Sequence, residues 1–134
     1  MKPRRRRPGQ SLVEFAMVMP VLFLVIFGTM EVGWLVFTNH QVANGTREAA
    51  RLASVRGNLS SGGPIGAGEL KDRILETTSG LDAGALTVSA PTSTWDPGDT
   101  VTIAVQYRYT PLISSILGRG SITLSQESTV IVHH

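Results

Sequence analysis

A chain of 134 residues holds one domain of ordinary size and not two. Hydrophobic residues make up 42% and charged ones 16%, too apolar a balance for a solvated, disordered chain. The absence of cysteine excludes a disulfide framework, a Cys-ligated zinc site and thiol catalysis, while leaving the compartment open.

The formal charge of +2 is unevenly spread. Lys2, Arg4, Arg5, Arg6 and Arg7 supply five of the twelve basic residues. Residues 10–134 then carry seven basic against ten acidic side chains, a net of −3. A basic leader on an acidic body is a poor match to phosphate binding, which needs a basic folded face. No nucleic-acid partner is expected.

From Phe15 to Met30 sixteen residues pass without a charge, and the apolar run resumes after Glu31 through Val32, Trp34, Leu35, Val36 and Phe37. As a helix, the 24 residues from Phe15 to Thr38 extend about 36 Å at ~1.5 Å per residue. A bilayer core of ~30 Å is crossed by that length with some tilt. A buried core helix is the competing explanation, but a soluble domain this small would struggle to cover such a helix on all sides. The basic cluster ahead of the run places the N-terminus in the cytoplasm and the chain beyond about residue 38 outside. Trp34 falls where an outer aromatic belt residue belongs. Pro20 predicts a kink or a loosened hydrogen bond within the span.

Helical character continues past the span. Val42, Ala49 and Ala53 share one face, with Ala43 and Ala50 beside them and Arg47 and Arg51 on a more polar side. One helix from about Ser11 to Arg56 is expected, roughly 70 Å long at ~1.5 Å per residue. Asn44-Gly45 is its weak spot, since an interior glycine costs ~1 kcal/mol relative to alanine. Residues 57–68 are rich in glycine, serine and proline and read as a linker. A short helix follows from about Glu69 to Ser79, with Leu70, Ile74 and Leu75 on one face and Gly80 closing it.

The period then changes to two. Leu86, Val88 and Ala90 alternate with small or polar residues, as do Val101, Ile103, Val105, Tyr107 and Tyr109. Asp96-Pro97-Gly98-Asp99 between them fits a type II turn. A third strand is expected from Ser121 to Val132, with its alternation faltering near Gln126. The connection at 111–120 places Leu112, Ile113, Ile116 and Leu117 at helical spacing. The fold class is α+β: a long N-terminal helix, membrane-embedded in its inner half and amphipathic in its outer half, packed on a small antiparallel sheet of about three strands. The chain divides into a basic leader (1–9), the membrane half of the helix (10–38), its amphipathic continuation (39–56) and a small extracytoplasmic α+β domain (57–134).

The most informative stretch is Gly9-Gln10-Ser11-Leu12-Val13-Glu14-Phe15. An ionised carboxylate at the bilayer centre costs ~2.5–3.5 kcal/mol on insertion scales, so a glutamate at the start of a membrane helix calls for a partner or a role. Were the chain cut after Gly9, Gln10 would expose an α-ammonium group with which Glu14 of a neighbouring subunit could pair. Ser11-x-x-Glu14 also matches a capping box, in which the two residues satisfy each other's backbone amides at a helix start. The arginine-rich leader, Gly9 at the junction and Phe15 after the glutamate turn the balance toward the inter-subunit pair.

Residues 9–57 resemble the TadE-like family of the tight-adherence (Tad/Flp) pilus system, a branch of the type IV pilin superfamily. The resemblance rests on the Gly-x-x-x-x-Glu-Phe junction, a proline partway along the span, Glu31 followed by an apolar run, and Arg47-Glu48-Ala49-Ala50-Arg51. It implies cleavage between Gly9 and Gln10 by a prepilin peptidase, storage of the mature chain in the bacterial inner membrane, and incorporation into or priming of a Tad pilus. Other pilin-like subunits and the Tad secretion machinery are then its partners, together with the lipid bilayer. Glu14 and Phe15 become assembly and recognition residues, and Pro20 and Glu31 helix-packing positions.

Glu31 lies about 25 Å along the axis from Glu14 at ~1.5 Å per residue, near the external interface. It reaches water there by snorkelling, or it packs against a polar group of another subunit. Other signals are weak. Asn44-Gly45-Thr46 and Asn58-Leu59-Ser60 match a glycosylation triplet that arises by chance. Asp96 and Asp99 are explained by turn chemistry without calcium. His40, His133 and His134 share no ligand spacing. No Gly-x-Ser-x-Gly, phosphate loop or His-Glu-x-x-His occurs, so no catalytic residue, metal site or cofactor is expected. Gly28 and Gly33 are five apart and make no Gly-x-x-x-Gly pair. A second reading is an uncleaved, single-pass anchored module whose external sheet binds a partner, with Glu14 only a cap.

Overall fold

A computed structural model describes residues 8–90, 95–112, 118 and 120–133. The basic residues from Lys2 to Arg7, and most of the 111–120 connection with Ile113, Ile116 and Leu117, lie outside the described residues, as does His134. Five elements follow in order: α1 (Pro8–Val55), α2 (Ala67–Thr77), β1 (Leu86–Ser89), β2 (Thr100–Tyr109) and β3 (Ile122–Ile131). The strands form one antiparallel sheet in the order β1-β2-β3. The expected α+β arrangement of a long helix on a three-stranded sheet is the one found.

α1 is 48 residues long, about 72 Å at ~1.5 Å per residue. It is helical throughout, including at Pro20, whose ring nitrogen has no hydrogen to give the Ala16 carbonyl. The helix starts at the leader end on Pro8, and its two halves face different surroundings. Large apolar side chains from Leu12 to Phe37 are exposed around the whole cylinder, and none of the apolar window is buried. From Thr38 onward a single stripe closes up: Thr38, Val42, Thr46, Ala49, Ala50 and Ala53 are buried. The two buried threonines on α1 bond back to the carbonyls one turn before, Thr38 to Trp34 at 2.9 Å and Thr46 to Val42 at 2.7 Å. Neither of these two hydroxyls is left unsatisfied in the core.

The small residues of this stripe allow close approach. α2 crosses α1 at Gly45, where an added Cβ would stand 2.7 Å from Ile74 Cγ2 and 3.1 Å from Thr78 Cγ2. The glycine that weakens the helix on propensity is therefore required by packing. α2 buries Leu70 and Ile74 as the spacing predicts, and Thr78 ends it by returning both its amide and its hydroxyl to the Ile74 carbonyl.

The sheet lays its apolar face on the two helices. Val101, Ile103, Val105, Tyr107 and Tyr109 of β2 are all buried, with Leu86 of β1 opposite Tyr107. β1 and β3 are the edge strands, and the inward positions of β3, Leu124, Gln126, Ser128 and Val130, are half-buried. Gln126, where the alternation falters, does face the helix: its amide nitrogen donates to Asn39 Oδ1 at 3.0 Å. The Asp96–Asp99 turn closes with a 3.0 Å bond from the Asp99 amide to the Asp96 carbonyl and a φ of 96° at Gly98. The chain end is tied back, Val132 to Asp99 and His133 to the Ser54 carbonyl at the last turn of α1.

Two core residues come from segments that sequence reading treats as loops. Ile65, within the glycine-rich linker, and Trp95, ahead of the turn, are both buried. The Trp95 carbonyl accepts the Asn58 amide at 2.9 Å, and the Asn58 side chain donates to Asp96 at 2.9 Å. The 57–68 stretch is thus pinned to the domain at both of its apolar and polar contacts.

Candidate functional site

Three groups of residues on α1 carry polar chemistry. The first lies at its start. Gly9, Gln10, Glu14, Phe15 and Pro20 are all exposed on a helix that already runs from Pro8. Ser11 is consequently inside the helix, three residues past its beginning, and not at the N-cap position that a capping box requires. Among the described residues Glu14 has no hydrogen-bond or ion-pair partner. Nothing lies within 4 Å of the position a Cβ would take at Gly9, so packing within the chain does not call for glycine there.

The second group gathers where the bare half of α1 meets the domain. Glu31 is half-buried, and its Oε1 accepts the Tyr109 hydroxyl at 2.6 Å and the Leu112 amide at 3.2 Å. Sequence reading offers Glu31 either water or another subunit; the structure gives it two donors from its own sheet end. Burial first, and then the bond to Glu31, push the Tyr109 phenol up to about 12. The phenol stays a donor at any ordinary pH. One turn on, Trp34 is exposed and its ring lies 5.6 Å from that of Phe37. A cavity of about 500 Å³ opens between Trp34 and the sheet end, with Arg108, Gln106 and Thr110 on its wall.

The third group clamps α2. Glu48 receives two bonds from the Arg51 guanidinium, at 3.1 and 2.9 Å, and one from Arg73 of α2 at 3.2 Å. The Arg51 bond, followed by that of Arg73, holds the Glu48 carboxyl down to about 2. Arg56 pairs with Glu69 at the other end of α2. The neighbours Ala49 and Ala50 are buried. The Arg47–Arg51 element is therefore a fold device, presenting two alanines inward and a charged clasp outward.

An exposed apolar half-helix, a carboxylate near its start with no partner among the described residues, and an alanine-rich packing stripe thus follow one another along a single helix. Residues 9–51 match the family model of TadE-like proteins. The TadE-like segment covers all three groups on α1 and stops at Arg51, so α2 and the sheet lie beyond it. Neither the curated proteins nor the solved structures contain a match to the chain. Within the TadE-like segment, Glu14 is the acidic residue left without a partner among the described residues; Glu31 and Glu48 are both satisfied inside the fold. No group of His, Asp or Glu suited to a metal ion occurs among the described residues.

Proposed function

We propose that the protein is a pilin-like membrane subunit, a pseudopilin, acting in assembly or priming of a Tad/Flp pilus. Its role is structural and not catalytic. The chain is inserted in the bacterial inner membrane with its N-terminus in the cytoplasm and the α2–sheet domain outside. Prepilin peptidase cuts between Gly9 and Gln10, and the basic leader that set the orientation is discarded.

The observation that supports this best is the carboxylate of Glu14, without a partner among the described residues, five residues after a glycine that no packing among them requires. Both lie in the TadE-like segment. In a filament, the new α-ammonium of Gln10 neutralises Glu14 of a neighbour, and helix contacts replace lipid around the bare half of α1. The apolar run then never meets water on the way from membrane to pilus. An ionised carboxylate at the edge of hydrocarbon is favoured when a cation neutralises it, which gives neighbouring subunits a preferred register.

N-terminal sequencing of the membrane-extracted chain tests the cut. A mature start at Gln10 is expected, and a start at Met1 in functional protein returns the chain to an uncleaved, anchored binding module. A Glu14→Ala chain is expected to be cut and retained in the membrane but not to enter pili. Normal pili from that variant would remove Glu14 from assembly.

A further inference from the structure

We infer that the sheet end at Tyr109–Leu112 is a second membrane contact, held against the outer leaflet of the bilayer by Glu31. This rests on reading α1 as a membrane span. The uncharged run starts at Phe15, and a hydrocarbon core of ~30 Å uses up ~20 residues at ~1.5 Å each, which brings its outer boundary to about Trp34. Glu31 is three residues short of that boundary, ~4.5 Å inside it at the same rise. A carboxylate at that depth needs donors, and the structure supplies them from the domain: the Tyr109 hydroxyl at 2.6 Å and the Leu112 amide at 3.2 Å. These bonds fix the depth of the end of β2. The Leu112 amide, 3.2 Å from the Glu31 carboxylate, then stands at the outer edge of the hydrocarbon core.

The side chains at this level agree with that depth. The Leu112 side chain is 77% exposed. Ile122, directly across the ladder from Tyr109, is exposed as well, and so are Trp34 and Phe37 on α1. Four apolar side chains from three parts of the chain are thus open at one end of the domain, beside the span. The opposite end of β2 carries the Asp96–Asp99 turn. An exposed apolar patch next to a membrane helix, with a polar far end, fits the headgroup–acyl boundary of a lipid surface. Trp34 has the aromatic character favoured there.

The chain has no cysteine, so single-cysteine variants report one position each. Phe23→Cys, Leu112→Cys and Leu59→Cys of the full chain are labelled with an environment-sensitive fluorophore and reconstituted into phosphatidylcholine vesicles. The vesicles contain lipids bearing a nitroxide quencher either high or low on the acyl chain. Leu59 is 76% exposed and follows the distal end of α1, so it controls for attraction of the label itself to lipid. The expected result is quenching at residue 23 by the low nitroxide, quenching at residue 112 by the high one, and none at residue 59. Quenching at residue 23 with residue 112 as bright as residue 59 overturns the contact and leaves the span intact. No quenching at residue 23 overturns the span, and the contact with it.

Discussion

Glu31 in α1 and Tyr109 at the end of β2 are 78 positions apart and share a 2.6 Å hydrogen bond. The pair joins the exposed half of the helix to the folded domain. A hydrogen bond to a charged group contributes about 1.5–3 kcal/mol. Tyr109→Phe is expected to lower domain stability by that order in thermal unfolding of the full chain in detergent micelles. Glu31→Gln keeps an acceptor for both donors and is expected to cost less than Glu31→Leu. In a double-mutant cycle, Tyr109→Phe and Glu31→Leu together should cost clearly less than the sum of the two.

The same pair has a signature in alkali. The Tyr109 phenol is raised to about 12 in the fold, against an ordinary value of 10.0. A raised folded value means that its contribution is complete below the unfolded value and lost as pH climbs through the folded one. Stability is therefore expected to fall between pH 10 and 12. The difference in phenolate absorbance between the wild type and Tyr109→Phe should rise near 12; a rise near 10 would contradict the buried bond.

Gly45 gives a test in which helix propensity and packing oppose each other. Alanine would gain ~1 kcal/mol as a helix former. Its Cβ would also press on Ile74 Cγ2 from 2.7 Å, and overpacking of this kind costs about 1–3 kcal/mol. Gly45→Ala is expected to be destabilising on balance. Adding Ile74→Ala, which removes the obstructing methyl, should make the Gly45→Ala step neutral or favourable, as read from the denaturation midpoints of the four chains.

Much of this architecture is legible in the sequence, and the residues show why. A period of two in β2 depends only on which face meets the core, so all five alternating residues from Val101 to Tyr109 are readable and all five are buried. The stripe of Val42, Ala49 and Ala53 is readable for the same reason at helical period. Ile65 and Trp95 are not, because each is a single apolar residue among glycine, proline or polar neighbours, where no periodicity exists to mark it. Glu31 shows the other limit. Its depth along the helix can be counted, but its donors arrive from a strand end through tertiary structure. Near the start of α1 the position of Glu14 is readable, whereas the helix start at Pro8 that removes Ser11 from the cap position is visible only in the coordinates.

Acid probes the clasp on α2. Glu48 is held down to about 2, from an ordinary value of 4.5. A depressed carboxyl stabilises the fold above its unfolded value and loses that effect as pH falls through the folded one. Domain stability should therefore decline between pH 4.5 and 2, and Glu48→Gln should flatten that decline. The clasp is solvent-exposed, so added salt should weaken the wild-type pH dependence and leave that of the variant unchanged.

Trp95 measures how far the loops belong to the core. It is 4% exposed, and truncation of a buried tryptophan costs about 3–5 kcal/mol. Trp95→Ala is expected to destabilise the α2–sheet domain by that order, seen as loss of its protection from proteolysis while a fragment of α1 persists.

The continuity of α1 leaves no swivel between its exposed apolar half and the domain. Each residue of an α-helix advances the azimuth by ~100°. The direction in which the outer face of the sheet looks is therefore locked to the direction in which Glu14 points, some sixty ångströms of helix away from Val55 at ~1.5 Å per residue. One residue inserted between Glu14 and Glu31 would turn the domain by roughly a quarter revolution relative to the carboxylate, with every contact inside the domain preserved. Such a chain would be a folded protein whose two ends disagree about which way is outward.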